Sequence, residues 1–257
     1  MPGAVQSVER AAAMLQLLAA EDEPLGLVQI AGALGLAKGT AHGLLKTLAE
    51  VGFVEREAAT GRYLLSADLY RLGSPRLDLN ELRAKALNWT DALAARTGEA
   101  ARVAAYREGR AVLAHHVFGT DPDQETPRPG AGVPLHANAL GKVLLAYDPG
   151  AARSLVGRTL DRFTENTQVD RVAVQRELAT IRDVGWAAAM GEDRAGIGQI
   201  AAPVRDRGGF VVAAVGIEAS IGRLCDDRSR PRTPLVTEVV RTARSISREL
   251  GHGRGDE

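Results

Sequence analysis

The stretch that most restricts the fold is residues 5–65, where three short apolar-periodic segments run directly into a glycine-turned hairpin. Over residues 5–20, Val8, Ala11, Ala12, Leu15 and Leu18 recur at i, i+3, i+4, i+7 spacing, which predicts one apolar stripe on a helix. Glu21-Asp22-Glu23-Pro24 ends it. A shorter helix is predicted over residues 27–34, with Val28, Ile30, Ala31 and Leu34 available for burial, and Gly35-Leu36-Ala37 is a tight turn. The third helix, about residues 38–51, is apolar at Ala41, Leu44, Leu45, Leu48 and Val51, and Gly52 closes it in the left-handed conformation. Residues 53–56 and 62–65 then flank Glu57 and Ala58-Ala59-Thr60-Gly61, a hairpin signal with glycine at the turn. Helix, helix, helix, hairpin in that order describes a winged helix-turn-helix.

The rest of the chain alternates differently. Residues 66–72 read as a short helix broken by Gly73-Ser74-Pro75, and a long helix is predicted over Leu79–Thr97 with Gly98 as its stop. Residues 101–106 and 111–118 are strand-like around Arg107-Glu108-Gly109-Arg110, and residues 119–134 form a proline-bearing loop. Helices at 138–147 and 172–184 precede strands at 186–190, 199–205 and 210–218, the last two joined across Asp206-Arg207-Gly208-Gly209. Thr233 as N-cap and Pro234 after it open a final helix that buries Val236, Val239, Val240, Ala243, Ile246 and Leu250. The fold class is therefore α+β: a winged helix-turn-helix over 1–73, a linker and connecting helix over 74–98, and an antiparallel-sheet domain over 99–257.

Charge limits what the first domain can do. The chain of 257 residues carries 32 Lys+Arg against 32 Asp+Glu, which excludes a polybasic nucleic-acid coat and an acidic tail. Residues 1–78 hold seven basic and nine acidic side chains, a net of −2. A DNA reader of this composition has to hold its partner through a few well-placed cations. On the third helix, Lys38, Gly39, Thr40, His42, Gly43, Lys46, Thr47 and Glu50 are not needed for the core. Lys38, Thr40 and His42 sit at the N-terminal turns, where a recognition helix meets base edges; Lys46 and Thr47 suit backbone phosphates. Arg56 and Arg62 belong to the wing. Periodicity alone leaves an ordinary solvated helix face as the alternative.

Other classes find less support. No apolar run approaches 18 residues and no secretory signal is visible, so a cytoplasmic protein without a membrane partner is expected. The lone Cys225 excludes an internal disulfide framework and a Cys-rich zinc site, and no metal or cofactor is expected. Cys225 as nucleophile with His115, His116 or His136 as base is the enzyme reading. Cys225 lies in a polar stretch without a nucleophile motif, and no P-loop, GxSxG or HExxH spacing occurs, so no catalytic residue is assigned.

Residues 5–73 resemble the DNA-binding domain of the IclR family of bacterial transcriptional regulators. The resemblance rests on Val5-Gln6-Ser7-Val8-Glu9-Arg10-Ala11, on Ile30-Ala31 leading to Leu34-Gly35-Leu36, on residues 38–48, and on Gly61-Arg62-Tyr63-Leu64-Leu65 with Leu72-Gly73. The family usually has Arg where Gly43 stands, which implies the loss of one phosphate contact. The resemblance continues through Pro134-Leu135-His136-Ala137 and residues 139–146. It ends in the signature Glu192, Gly196-Ile197, Ile200-Ala201-Ala202-Pro203-Val204 and residues 212–217. It implies a GAF-like second domain that binds a small effector, and a double-stranded operator read by a homodimer or tetramer.

Matching the family's pocket residue by residue implies effector contacts at Ala189, Gln199, Gly216 and Glu218. Helix-start backbone at Ala139, Leu140 and Gly141 is suited to an anion, with Lys142 either assisting or facing water and His136 nearby. Glu218 disfavours a carboxylate ligand unless it is paired or turned outward. Within the family, residues 9–15, 34–43 and 115–118 resemble glycerol-operon regulators of actinobacteria, which implies glycerol or glycerol 3-phosphate as effector. Arg102 or Lys142 would then meet the phosphate, and Glu218, Gln199 or His136 the hydroxyls. The expected function is a repressor of a glycerol-catabolic operon. The alternatives are an enzyme or interaction module on the same fold, or a family member serving another carbon source.

Overall fold

A computed structural model describes residues 5–21, 23–66, 69, 77–107, 109–120 and 130–253. Most of the short helix expected at 66–72 and much of the loop expected at 119–134 fall outside them. The chain divides into two compact units, residues 1–76 and 77–257.

In the first unit α1 (Gln6–Ala20), α2 (Leu27–Ala33) and α3 (Lys38–Glu50) precede the hairpin β1 (Val54–Arg56) and β2 (Tyr63–Leu65). Its core joins Met14, Leu18, Ile30, Ala31, Ala41, Leu45, Leu48, Val54 and Tyr63. The α1 stripe is the expected one at Leu18, buried, and at Ala11 and Leu15, packed against the core, with Met14 added to the same face; it does not reach Val8, 65% exposed, or Ala12. α1 packs against β2 and α3, and its buried side chains, Met14 and Leu18, belong to its second half. Val28 on α2 is likewise exposed while Ile30 and Ala31 carry the packing. Gly35 (φ +61°) makes the α2–α3 turn and Gly61 (φ +68°) the hairpin turn, both in the left-handed region that favours glycine. Leu25 bridges Tyr63 and so adds a third, one-residue rung to the wing.

The second unit is a six-stranded antiparallel sheet of order β5-β4-β3-β8-β7-β6 among the described residues. Its strands are β3 (Ala100–Arg107), β4 (Arg110–Val117), β5 (Gly132–Val133), β6 (Ala187–Met190), β7 (Ile197–Arg205) and β8 (Val211–Ser220). One face packs on α4 (Leu79–Thr97) and α9 (Thr233–Glu249), through Leu82, Ala86, Leu93, Val239, Ala243 and Ile246. The other face packs on α5 (Ala139–Tyr147), with α6 (Pro149–Ser154) and α7 (Arg171–Val184) alongside; α8 (Ile221–Leu224) follows β8. Pro234 occupies the first turn of α9 as expected, but Arg232 rather than Thr233 is the capping residue, and no side chain caps that end.

Candidate functional site

In the first unit, Lys38, Gly39, Thr40, His42, Lys46 and Thr47 all lie on the exposed side of α3, opposite Ala41, Leu45 and Leu48. A cation there faces water, not protein. Lys46 approaches Glu50 at 3.9 Å with both side chains mostly exposed, a pairing worth little in water. The wing arginines are exposed but tethered: Arg56 Nε donates to Gly61 O at 3.1 Å, and its guanidinium stands 5.8 Å from the Tyr63 ring centroid. Arg62 donates to Pro24 O at 3.3 Å. A Cβ at Gly43 would meet nothing within 4 Å, so its place on the outer face is open.

In the second unit a small cavity opens where the N-terminus of α5 meets the sheet, lined by Arg102, Asn138, Ala139, Leu140, Gln199, Ile200, Gly216, Ile217 and Glu218. Strand register assembles the polar wall. Gln199 is directly opposite Glu218 on β7 and β8, His116 is opposite Arg102 on β4 and β3, and Arg102 lies one diagonal step from Glu218. Glu218, 2% exposed, accepts from Arg102 at 2.5 Å and from Gln199 Nε2 at 2.9 Å, and its other oxygen pairs with Arg194. Asp193 Oδ2 accepts from Asn138 Nδ2 at 2.8 Å and from Gln199 Nε2 at 3.0 Å. Gln199 Oε1 accepts from Ala139 N at 3.1 Å, and Asn138 Oδ1 from Leu140 N at 3.0 Å. Two side-chain amides thus cap the start of α5 and join it to the carboxylates.

Charge is costly here and is balanced accordingly. Burial lowers the Arg102 guanidinium from its ordinary value, and the Glu218 carboxylate opposes that. His116, whose Nδ1 accepts from Arg102 Nε at 3.3 Å, is pushed down to about 4 by burial and then by the Arg102 charge. It is neutral at pH 7.

Of the residues expected to bind an effector, the structure gathers Ala139, Leu140, Gln199, Gly216 and Glu218 around this cavity. His136, Gly141, Lys142 and Ala189 stand elsewhere. His136 is buried with its Nε2 2.8 Å from Asp161 O and its ring beside Phe163. Ala189, paired with Gln199, belongs to the core under α5. A Cβ at Gly141 would overlap the Pro134 carbonyl oxygen and come within 2.6 Å of Leu135 Cα, so Gly141 admits a neighbouring backbone segment. Lys142 does neither of the two things considered for it. At 1% exposed, it donates to Glu192 at 2.5 Å and to Glu177 at 2.6 Å, tying α5 to α7 and to the loop after β6. Burial raises the Glu192 carboxyl, with Lys142 opposing it.

Asn138, Asp193 and Arg194 join the polar wall without having been singled out. A usable signal existed for Arg102 and Glu218: each is the lone charge inside an otherwise apolar run of its strand, and adjacent strands can pair such charges. Asp193 and Arg194 carry no comparable signal, because a loop rich in charge reads as solvated. The Cys225 thiol is buried, lies 3.7 Å from Met190 Sδ, and is raised by burial, the opposite of an activated thiolate. Among the described residues no helix is long and apolar enough to cross a membrane.

Two family models match this chain: the IclR helix-turn-helix domain over residues 7–58 and the bacterial transcriptional regulator IclR C-terminal domain over residues 76–248. The chain belongs to the IclR family. It is similar to the glycerol operon regulatory protein of Streptomyces coelicolor, 47% identical over 97% of this chain and 98% of that one. Its identity to the glycerol operon regulatory protein of Streptomyces griseus is 46% over the same shares. The solved IclR structure from Thermotoga maritima superimposes with a TM-score of 0.62 at 26% identity, covering 96% of this chain and 99% of that chain. This IclR family member is a transcriptional regulator with a DNA-binding unit and an effector-binding unit, and its relatives are regulators rather than enzymes.

Proposed function

We propose that this regulator represses a glycerol-catabolic operon, acts in the cytoplasm as a homodimer or tetramer, and releases its operator when glycerol or glycerol 3-phosphate occupies the cavity at the start of α5. The observation that carries the pathway is the 47% identity across nearly the full length of a glycerol operon regulatory protein. Lys38, Thr40 and His42 meet base edges or adjacent phosphates, Lys46 and Thr47 hold the backbone, and Arg56 and Arg62 steady the wing against the flanking groove. Support comes from their common exposure on α3 and the hairpin, away from the buried side. Gly39 lets the backbone at the helix start come close to the duplex. Two readers are needed for a pseudo-palindromic site, hence the oligomer. For the effector, Arg102 and Arg194 offer guanidinium donors, and Glu218, Asp193 and Gln199 offer partners for hydroxyls.

Footprinting on the DNA upstream of the protein's own gene and of a glycerol operon tests this. Protection of a two-fold site, lost with glycerol or glycerol 3-phosphate, is expected; protection indifferent to both removes the effector assignment.

A further inference from the structure

Glu218 stands in an unusual position for a carboxylate beside a ligand cavity. Two guanidinium groups, Arg102 and Arg194, converge on it, Gln199 donates to it, and its side chain is almost wholly buried. The frame around it balances two arginines against Glu218 and Asp193, with the Gln199 and Asn138 amides donating to the carboxylates and accepting from the first N–H groups of α5. The free space left between these groups is that of about one water molecule, so a ligand of several heavy atoms has to move a side chain. Which one moves is an electrostatic question. A neutral molecule that pulled Glu218 away would leave the buried Arg102 without its hydrogen-bonded carboxylate, with only the Asp193 charge nearby to offset it, which is the costly way to break a buried pair. A phosphate or carboxylate could take over both arginines as Glu218 leaves them.

We propose that Glu218 is a resident counter-anion and the specificity-determining residue of this cavity: an effector binds by placing its own anionic group on Arg102 and Arg194 in exchange for the Glu218 carboxylate. The class of ligand selected is a small hydroxylated compound with one phosphate or carboxylate group. Its hydroxyls are received by the displaced Glu218 and by Asp193, which Gln199 and Asn138 hold in place. No covalent step is involved. The proposal rests on the cavity being the effector site.

Calorimetry on the full chain tests it, with inorganic phosphate, glycerol 3-phosphate and glycerol as probes. Glu218→Gln removes the competing charge and should tighten inorganic phosphate and glycerol 3-phosphate on the order of tenfold while leaving glycerol unimproved. Arg194→Gln, at a side chain one third exposed, should weaken both phosphate-bearing probes by a similar factor. If Glu218→Gln does not fold, Arg194→Gln decides alone. Unchanged or weaker phosphate binding in folded Glu218→Gln, or unchanged phosphate binding in Arg194→Gln, overturns the exchange. Binding of glycerol alone, equal in all variants, overturns it while leaving the effector reading intact. If neither glycerol nor glycerol 3-phosphate binds, the effector reading fails, and inorganic phosphate still reads the exchange.

Discussion

The two units place polar side chains in opposite settings. In the first, Lys38, Thr40, His42, Lys46 and Thr47 stand on the exposed face of α3 over an apolar core, so folding and the proposed DNA contacts draw on different residues. In the second, Arg102 and Gln199 are buried and both bonded to the buried Glu218, so the groups proposed to sense a ligand also join the sheet to the start of α5, while Lys142, away from the cavity, ties α5 to α7 and to the loop after β6. A surface reader can change its side chains with little effect on stability; a buried sensor cannot.

Substitutions that separate stability from binding break or sharpen that contrast. The largest effect is expected from Lys142→Ala, which strands Glu192 and Glu177; urea unfolding should show a loss of about 3 kcal/mol. A loss under 1 kcal/mol would mean that the buried ions are not holding α5 in place. Gly141→Ala follows at about 2 kcal/mol, because its Cβ collides with the backbone of Pro134 and Leu135 rather than with a movable side chain. Acid should act on the second unit through His116. Its folded pKa, about 4, lies below the ordinary 6.5, so the unfolded chain takes up the proton first and stability falls as pH drops from about 6.5 toward 4. His115, also lowered by burial, contributes in the same direction. His116→Gln should flatten that stretch of the stability–pH curve without abolishing it, and an unaltered curve would contradict the assignment.

The smallest effects on stability belong to the first unit. Lys38→Ala and Lys46→Ala should each shift unfolding by less than about 0.5 kcal/mol. Their DNA phenotypes should differ. Lys38→Ala should relax discrimination at one base step by about 1–3 kcal/mol, whereas Lys46→Ala should weaken all duplexes alike and lower the salt slope by about 1. Equal behaviour of the two variants would remove the division between base and phosphate contacts.

The same contrast explains what could be read from the chain. The helices and the hairpin of the first unit were legible because period and punctuation are local: Ala41, Leu45 and Leu48 set one face of α3, and Gly35 and Gly61 mark turns. Even there, how far the α1 stripe is covered depended on what it packs against: Ala11, Leu15 and Leu18 meet the core as read, Met14 joins them, and Val8 does not. The sensor elements were legible too, and Arg102, Gln199 and Glu218 were named for the pocket, but how they pair, and the part of Asn138, Asp193 and Arg194, was not. Strand register decides that Gln199 meets Glu218 and that Arg102 meets His116, and register links residues far apart in sequence. Lys142 was left between assisting an anion and facing water because its partners, Glu177 and Glu192, lie 35 and 50 positions away. Gly141 was read as letting helix-start backbone approach an anion, and the close approach of the Pro134 and Leu135 backbone to it was not legible.

The measurement that bears most directly on the account is the operator affinity of the full chain, titrated with glycerol 3-phosphate on the DNA upstream of its own gene. The account predicts specific binding that the effector weakens by a factor in the range of about 5–150, matched by a reciprocal loss of effector affinity on operator-bound protein. An operator affinity and footprint that stay the same at saturating effector would contradict it.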